Sequence, residues 1–182
     1  GCMLGISALQ ISEYFGTGRD PQRLGSAHPR NAPYQAYRAR DGHFAIAAGN
    51  DRLWLQVCKV VALPALAADA RFASPTLRAR HQQELKTLLE AAFAEREAAH
   101  WLAEFATAGV PASPLNGYGQ ALADPQTAHL ELVRAMTLPG GHATRTVGCP
   151  VRLDGRPIEV DTRVPALGQH NTEIASFTRR ER

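Results

Sequence analysis

The chain has 182 residues, of which 45% are hydrophobic and 20% charged, a composition typical of a folded globular protein and not of a disordered one. Its 20 Lys and Arg against 17 Asp and Glu give a net charge of +3, but the basic residues are scattered among acids instead of clustering with aromatic residues, so nucleic acid is not an expected partner. No apolar run approaches the roughly 20 residues needed to span a bilayer, so no membrane is expected as a partner either.

The cysteines indicate a reducing environment. Cys2, Cys58 and Cys149 are far apart and odd in number, which favours free thiols over a disulfide framework. Because the sequence shows no export signal, we expect an intracellular protein of the cytoplasm. Neither a Cys-x-x-Cys nor a His-x-x-x-His pair occurs, so no metal site is predicted.

The first predicted element is a helix near the start of the chain. Apolar residues recur there at mostly helical spacing, namely Met3, Leu4, Ile6, Leu9, Ile11, Tyr14 and Phe15. Gly16 and Gly18 close the helix. It begins without an initiator methionine or a capping residue, which suggests a chain cut from a longer protein; a processed start with a frayed helix is the alternative. Residues 19–33 are polar and rich in Gly, Pro and Asn, which predicts a loop.

A β-hairpin is the clearest strand prediction. Residues 34–39 and 43–48 have strand-like sequences, and Asp41 and Gly42 lie between them. An Asp-Gly pair between two strands favours a tight turn in which both residues have positive φ.

Three helices are predicted to pack on this hairpin. Asn50 and Asp51 offer side-chain oxygens that cap the first helix, which Pro64 ends. Its apolar face contains Leu53, Trp54, Val57, Cys58, Val60 and Val61. Ser74 opens a longer helix with Leu77, Leu85, Leu88, Leu89, Ala92 and Phe93 inward. Glu97 begins the third helix, which carries Trp101, Leu102 and Phe105 on one face and stops at Gly109. The result is a small α+β lobe in which both tryptophans are core residues.

The rest of the chain is predicted as short elements. Two prolines make residues 110–116 an extended linker, and Asp124 followed by a proline is typical of a helix start. A strand over residues 132–138, a turn and a partner over 143–147 follow. Short extended pieces are predicted at 151–153 and 158–160. Residues 165–170 lead into a short helix and a charged end.

No catalytic constellation emerges from the residues alone. The nucleophile motif Gly-x-Ser-x-Gly and the phosphate and dinucleotide glycine motifs do not occur. Most histidines are predicted to be solvated, although His28 and His170 lie in loops of unusual composition. Cys58 is interpreted as a buried packing thiol in preference to a nucleophile. For Asn50 and Asp51 the structural interpretation is a helix cap, and the functional alternative is a turn that lines an anion pocket.

Short segments in a definite order carry a further signal. They are residues 23–29 (RLGSAHP), 32–34 (APY), 41–42 (DG), 48–51 (AGND), 69–72 (DARF), 101–102 (WL), 108–111 (AGVP), 124–126 (DPQ), 148–150 (GCP) and 165–173 (PALGQHNTE). In their order and spacing they resemble the class III CoA-transferases, the formyl-CoA and carnitine CoA-transferase family that also contains the α-methylacyl-CoA racemases. The resemblance covers nearly the whole chain.

The resemblance implies an architecture. Family members have a large domain with a Rossmann-like core, formed by the N-terminal part and the returning C-terminal end, and a small inserted domain. Accordingly, residues 1–33 are expected to be the linker helix and loop from the large domain, 34–112 the small α+β domain, and 113–182 the linker and the C-terminal return. The large domain would be mostly absent from this chain. Family membership also implies a homodimer of interlocked subunits.

The resemblance also implies a reaction. Family members move CoA between carboxylic acids through an aspartyl-CoA thioester, with acyl-CoA as substrate and no covalently bound cofactor. The nucleophilic aspartate would lie upstream, because none of Asp41, Asp51, Asp69 and Asp124 matches it. No catalytic residue is therefore expected in this chain, and the chain alone is expected to be inactive.

What this part would contribute is one wall of the active site. The substrate-binding candidates are His28, Asn31, Tyr34, Asn50 and Asp51. Residues 26–32 lack the glycines of the loop that covers the intermediates in some members, and residues 177–180 lack the usual apolar helix ending. An acyl-CoA racemase is one alternative function, although the pair at 50–51 is more similar to the transferase pattern. A non-catalytic binding or assembly module is the other.

Overall fold

The computed structural model of the chain describes residues 2–158 and 163–179. Helices alternate with small antiparallel sheets, so the chain is of the α+β class, as the sequence predicts. It divides into two compact units, Gly1–Leu115 and Asn116–Arg182. Among the described residues, no helix is long and apolar enough to cross a membrane.

The start of the chain forms two helices where one was predicted. They are α1 (Cys2–Ile6) and α2 (Ala8–Thr17), with Ser7 between them. The Ser7 hydroxyl donates to the carbonyl of Met3 at 3.0 Å, a side-chain bond that competes with the helix ladder. Gly18 ends α2 in the left-handed conformation, as the glycine signal predicts. Neither helix has a buried residue, and all of their large apolar side chains except the half-buried Ile11 are exposed.

The predicted hairpin is confirmed and gains a third strand. Strands β1 (Tyr34–Arg38) and β2 (His43–Ala47) pair antiparallel, with Tyr34 opposite Ala47. Strand β3 (Ala112–Pro114) pairs with the other side of β2, so three residues of the predicted linker belong to the sheet. A proline at an edge strand removes no bond from the sheet interior, which makes this segment suitable for the edge.

The hairpin turn differs from the prediction. Neither Asp41 nor Gly42 has a positive φ. The N–H of Ala39 instead donates to the carbonyl of Gly42 at 2.8 Å, and the Asp41 carboxylate accepts from the N–H of Ala98 at 2.7 Å. The turn is docked on the start of a helix, and this tertiary contact determines its backbone in place of the local Asp-Gly preference.

Six helical segments follow β2 in the first unit. They are α3 (Asp51–Val60), α4 (Ala65–Ala68), a 3-10 turn (Ala70–Phe72), α5 (Pro75–Arg80), α6 (Gln82–Phe93) and α7 (Ala98–Thr107). The predicted caps Asn50 and Ser74 are confirmed, since Asn50 Oδ1 accepts from the N–H of Leu53 at 2.9 Å and Ser74 Oγ accepts from the N–H of Leu77 at 3.3 Å, whereas Asp51 is the first residue of α3 and not a cap. The long helix predicted after Ser74 is divided between α5 and α6 at His81.

The core lies between one face of the sheet and the helices α3, α6 and α7. Phe93 is its centre, with ring centroids 5.5 Å from Tyr37, 5.0 Å from Phe44 and 5.2 Å from Trp101. These edge-to-face contacts add specificity to the burial of apolar area. Trp54 and Trp101 are both core residues, as predicted.

The second unit is built from short elements. These are α8 (Tyr118–Leu122), α9 (Pro125–His129), β4 (Val133–Thr137), β5 (Ala143–Val147), β6 (Arg152–Leu153), β7 (Arg156–Pro157) and α10 (Asn171–Arg179). The predicted cap Asp124 accepts from Gln126 at 2.7 Å, and β4 pairs antiparallel with β5 as predicted. Strands β6 and β7 pair antiparallel. The first of the two short extended pieces predicted at 151–153 and 158–160 thus corresponds to β6, whereas β7 ends before the second. Residues 159–160 and the charged end at 180–182 lie outside the described residues.

Helix α3 ends before the predicted stop at Pro64. Its last residue is Val60, and Ala62 adopts a φ of 54°. The N–H of Leu63 donates to the carbonyl of Cys58 at 3.0 Å, and that of Ala62 donates to Lys59 at 3.1 Å. This pair of bonds is the Schellman motif, in which glycine is the preferred residue at the position of Ala62.

Replacing Ala62 with glycine should therefore stabilise the protein. Relief of the left-handed strain offsets the greater freedom of glycine in the unfolded chain, so Ala62→Gly should raise the free energy of unfolding by about 0.5–1 kcal/mol. Urea denaturation measures the change. The matched control is Ala103→Gly on the exposed side of α7, which should lower the stability by about 1 kcal/mol. Equal losses in both variants would contradict the strain argument.

Candidate functional site

The five candidate substrate-binding residues lie on two adjoining segments. His28, Asn31 and Tyr34 belong to residues 26–34, and Asn50 and Asp51 belong to residues 48–51; we call the two segments together the site wall. The N–H of Ala48 donates to the carbonyl of Pro33 at 2.8 Å. A Cβ added at Gly49 would lie 3.0 Å from the Cβ of Asn31, so glycine permits this close approach. The structure therefore brings all five residues to one region.

The imidazole of His28 organises the first segment. Its Nδ1 accepts hydrogen bonds from the backbone N–H groups of Arg30 and Asn31, both at 3.1 Å. Two donors at Nδ1 require a lone pair there, so the proton of the neutral ring is on Nε2. The ring also stacks on Tyr34, with centroids 5.1 Å apart and planes 17° apart. The half-buried ring thus holds the loop with one nitrogen and keeps an N–H donor on the other.

The same segment is attached along the edge of β1. Ser26 Oγ accepts from the N–H of Ala36 at 3.1 Å, and the N–H of His28 donates to the carbonyl of Tyr34 at 3.0 Å. These bonds satisfy edge groups of the sheet that would otherwise face solvent. A segment without glycine at 26–32 is in this way held by its own side chains.

The neighbouring residues Asn50 and Asp51 have different hydrogen-bond partners. Asn50 is the cap of α3, so the structural interpretation of this residue is realised. Asp51 does not cap the helix. Its Oδ1 accepts from Nη2 of Arg78 at 2.8 Å, while 66% of the Asp51 side chain stays exposed.

Arg78 is the residue that the sequence analysis missed. Its side chain is fully buried, and it donates from Nε to the carbonyl of Ala32 at 3.0 Å and from Nη1 to the carbonyl of Phe72 at 3.0 Å. The guanidinium carbon lies 5.5 Å from the ring centroid of Trp54. The available signal was its register, because Arg78 precedes the buried Leu85 by two helical turns. A basic residue in line with an apolar stripe is a candidate for a buried, fully bonded charge.

A charged cluster supports the 3-10 turn that carries Phe72. Arg71 donates from Nη2 to Asp69 at 2.7 Å and from Nη1 to Glu84 at 2.8 Å. Hydrogen bonds from Arg71 hold the pKa of Asp69 below its ordinary value. The pKa of Glu84 is also lowered, mainly by its hydrogen bond with His81 and next by its hydrogen bond with Arg71. The cluster thereby fixes the backbone next to the carbonyl that Arg78 binds.

A groove borders the site wall on the open face of the sheet. Its volume is about 430 Å³, and alanines of β1 and β2 form its floor. Tyr34 and Ser26 of the site wall are part of its lining, as are Pro111 and Leu115. Small apolar side chains leave space there for the uncharged part of a ligand.

The remaining candidates are not residues of the site wall. His170 belongs to the second unit, where its Nδ1 lies 3.2 Å from Glu173 Oε2. Cys58 is buried, and burial raises the pKa of its thiol to about 11. The thiol is therefore protonated at neutral pH, which agrees with packing and not with nucleophilic attack. Among residues 2–158 and 163–179, no group of three or more His, Cys, Asp or Glu side chains is placed to hold a metal ion.

Comparison with known proteins identifies relatives. The sequence model of CoA-transferase family III matches residues 2–171. The chain is 34% identical over 156 residues to succinyl-CoA:glutarate CoA-transferase of Mus musculus, covering 86% of this chain and 36% of that protein. It is 39% identical over 139 residues to acetyl-CoA:oxalate CoA-transferase of Acetobacter aceti, covering 76% of this chain and 34% of that protein. The chain thus spans about a third of the length of these curated relatives.

A solved structure shows the same fold. The chain matches a CAIB/BAIF family protein from Brucella suis with a TM-score of 0.73 and 34% sequence identity. The match covers 97% of this chain and 45% of that one. The resemblance drawn from the ordered segments is confirmed by these comparisons.

The thiols provide a direct test of the site description. In the native protein at pH 8, iodoacetamide should leave Cys58 unmodified, because the thiol is buried and its pKa is about 11. Cys2 is exposed and should react in the same sample, which makes it an internal control. Peptide mass spectrometry measures both positions. Rapid native alkylation of Cys58, at a rate similar to that in denaturant, would contradict the packing role.

Proposed function

The chain belongs to CoA-transferase family III, and we propose that the protein that carries it transfers CoA between carboxylic acids. The named activities of the relatives support this, since both move CoA from an acyl-CoA to a dicarboxylate. Acyl-CoA and a carboxylic acid are the substrates, and no covalently bound cofactor takes part. The observation that carries the proposal is the site wall, in which His28, Asn31 and Tyr34 lie beside the turn at 48–51.

The covalent chemistry follows from the resemblance. An aspartate upstream of this chain attacks the thioester carbonyl, and CoA thiolate leaves as an acyl-aspartyl anhydride forms. The thiolate then attacks the aspartyl carbonyl, which releases the donor acid and leaves an aspartyl-CoA thioester. The acceptor carboxylate repeats these two steps in reverse order and departs as the new thioester. This chain supplies none of these bonds.

The site wall acts on charge and position. Negative charge develops on the carbonyl oxygens during each attack, and fixed donors stabilise it. We assign this task to His28 through Nε2–H, with the amide of Asn31 and the hydroxyl of Tyr34 beside it. Asn50 and Asp51 form the second side of the wall, and one Asp51 oxygen is engaged by Arg78. An Asp51 so engaged suits a fixed wall residue better than the proton-abstracting base of a racemase.

The wider organisation is part of the same proposal. Residues 1–33 form the linker helix and loop from a large domain, 34–112 the small domain, and 113–182 the return. The exposed apolar side chains of α1 and α2 support their burial in an interlocked homodimer of the whole protein. The unpaired cysteines support a cytoplasmic location.

An exchange assay on the full-length protein tests the reaction. Succinyl-CoA with glutarate or oxalate should give the exchanged thioester, detected by mass spectrometry. In a single turnover with the acceptor carboxylate labelled by ¹⁸O, one labelled oxygen should appear in an aspartyl peptide upstream of this chain. Residues 1–182 alone should give no turnover.

Two other outcomes would contradict the transferase proposal. Absence of CoA exchange across a panel of donors, together with deuterium entry at the α-carbon from solvent, would replace transfer by racemisation. Absence of both reactions would indicate a non-catalytic module.

Two substitutions of His28 separate its two nitrogens. In His28→Asn the amide oxygen takes the position of Nδ1, so the loop bonds persist while the Nε2 donor is lost. We expect a fall of about a hundredfold in kcat/KM with an unchanged melting temperature. In His28→Gln the distal N–H persists and the loop acceptor is lost, so the melting temperature should fall while more activity remains.

His129→Asn is the control for this pair. His129 is an exposed residue at the end of α9, and its replacement should change neither quantity. Full activity of His28→Asn would contradict the proposed donor role.

A further inference from the structure

Arg78 has a combination of properties that packing alone does not explain. Its side chain is 1% exposed, yet it carries a permanent charge. Removal of a guanidinium from water is costly unless hydrogen bonds and an opposite charge compensate. A core position that served only for packing would be filled at least as well by an apolar side chain.

The three acceptors of Arg78 come from three separate parts of the first unit. Ala32 belongs to the first segment of the site wall, Asp51 to the second, and Phe72 to the 3-10 turn. They lie 46, 27 and 6 positions from Arg78 in sequence. The N–H donors of a guanidinium lie on three separate nitrogen atoms in one plane, so Arg78 reaches acceptors on three sides, whereas the donors of a lysine ammonium all belong to one nitrogen.

The position of the Arg78 side chain is determined by the start of α5 and by the Trp54 ring. Pro75 and the Ser74 cap begin α5, and Arg78 follows one turn later. The Trp54 ring under the guanidinium restricts it from the side of α3. Arg78 is consequently held as firmly as the segments that it binds.

We infer that Arg78 is the positioning residue of the site wall: it fixes the distance between the loop at 26–34 and the turn at 48–51, and so places His28 relative to Asp51. The inference deepens the proposed transferase function and rests on it for its catalytic part. Arg78 acts through Ala32 and Asp51 and does not itself touch substrate.

The charge of Arg78 has a second consequence at the wall. Asp51 is largely exposed, and without a cation beside it the wall would present a lone carboxylate. The substrates of the proposed reaction are anions, which a lone carboxylate repels and a neutral pair does not. Geometry and charge are therefore two separable contributions of one side chain.

Two variants separate these contributions in the full-length protein. Arg78→Lys keeps the charge, but its single nitrogen cannot replace the bonds that start from Nε, Nη1 and Nη2 together, so kcat should fall about tenfold to a hundredfold while KM for the acceptor changes little. Arg78→Met keeps the length of the stem and loses the charge, so KM for a dicarboxylate acceptor should rise in addition. The increase should be smaller for a monocarboxylate.

Phe105→Leu is the matched control for stability. Phe105 is fully buried on α7, and its aromatic contacts are with Phe44 and Phe93, which lie outside the site wall. Its replacement should lower the melting temperature as Arg78→Lys does, while kcat/KM measured well below that temperature stays unchanged. If the two variants lose stability and activity in the same proportion, Arg78 is only a structural residue and the inference is overturned.

Hydrogen–deuterium exchange gives a readout that does not need catalysis. Amides of residues 27–35 and 49–54 should exchange faster in Arg78→Lys than in wild type, and faster than in Phe105→Leu. Unchanged exchange in both segments would overturn the positioning role even if activity falls. A wild-type protein that transfers no CoA would refute the proposed function. The hydrogen–deuterium exchange rates would still decide whether Arg78 holds the two segments of the site wall together.

Discussion

The buried guanidinium of Arg78 is the constraint on which the candidate site depends. A charge with no access to water must have its acceptors in place whenever the lobe is folded. Those acceptors are a carbonyl of the wall loop, a carbonyl of the 3-10 turn and the carboxylate of Asp51. Folding of the lobe and assembly of the site wall are thus the same event. An apolar core would give comparable stability without linking these segments, and this is why the residue type matters.

The layers around Arg78 have complementary roles. The aromatic cluster about Phe93 holds the sheet against α6 and α7, and the register of β1 with β2 places Tyr34 opposite Ala47. This register brings the end of β2, with Gly49 after it, next to Asn31. Core packing therefore determines where the two segments of the wall meet, and polar contacts determine their detailed positions. A change in the core should affect stability first, whereas a change in the polar contacts should affect the site first.

Local signals in the sequence predicted local structure well. The caps Asn50, Ser74 and Asp124 and the hairpin depend on residues within a few positions of one another, so a single sequence contains the whole interaction. Three features escaped prediction because their causes are distant in sequence. Strand β3 pairs with a strand more than 60 residues earlier, the turn at Asp41 takes its shape from Ala98, and Arg78 binds Ala32. Asn31 and Tyr34 came from the resemblance alone, whereas local patterns had also drawn attention to His28, Asn50 and Asp51. The structure brings the five residues to one region without testing their roles.

The site wall suits the proposed reaction, in which the covalent steps would belong to residues upstream of this chain. His28 uses Nδ1 to bind its own loop, so the direction of Nε2–H is set before any substrate arrives. A donor oriented in advance stabilises developing charge without reorganisation during the reaction, and this is where most of the benefit of such groups arises. The loop at 26–34 is held by the side-chain hydrogen bonds of Ser26 and His28. Arg78 joins this loop to the turn at 48–51 through its bonds to Ala32 and Asp51. Under the proposed function, a wall of this kind would serve transfer to different acids, because it would bind the charge common to every carbonyl addition and leave the choice of acid to groups that contact the rest of the substrate.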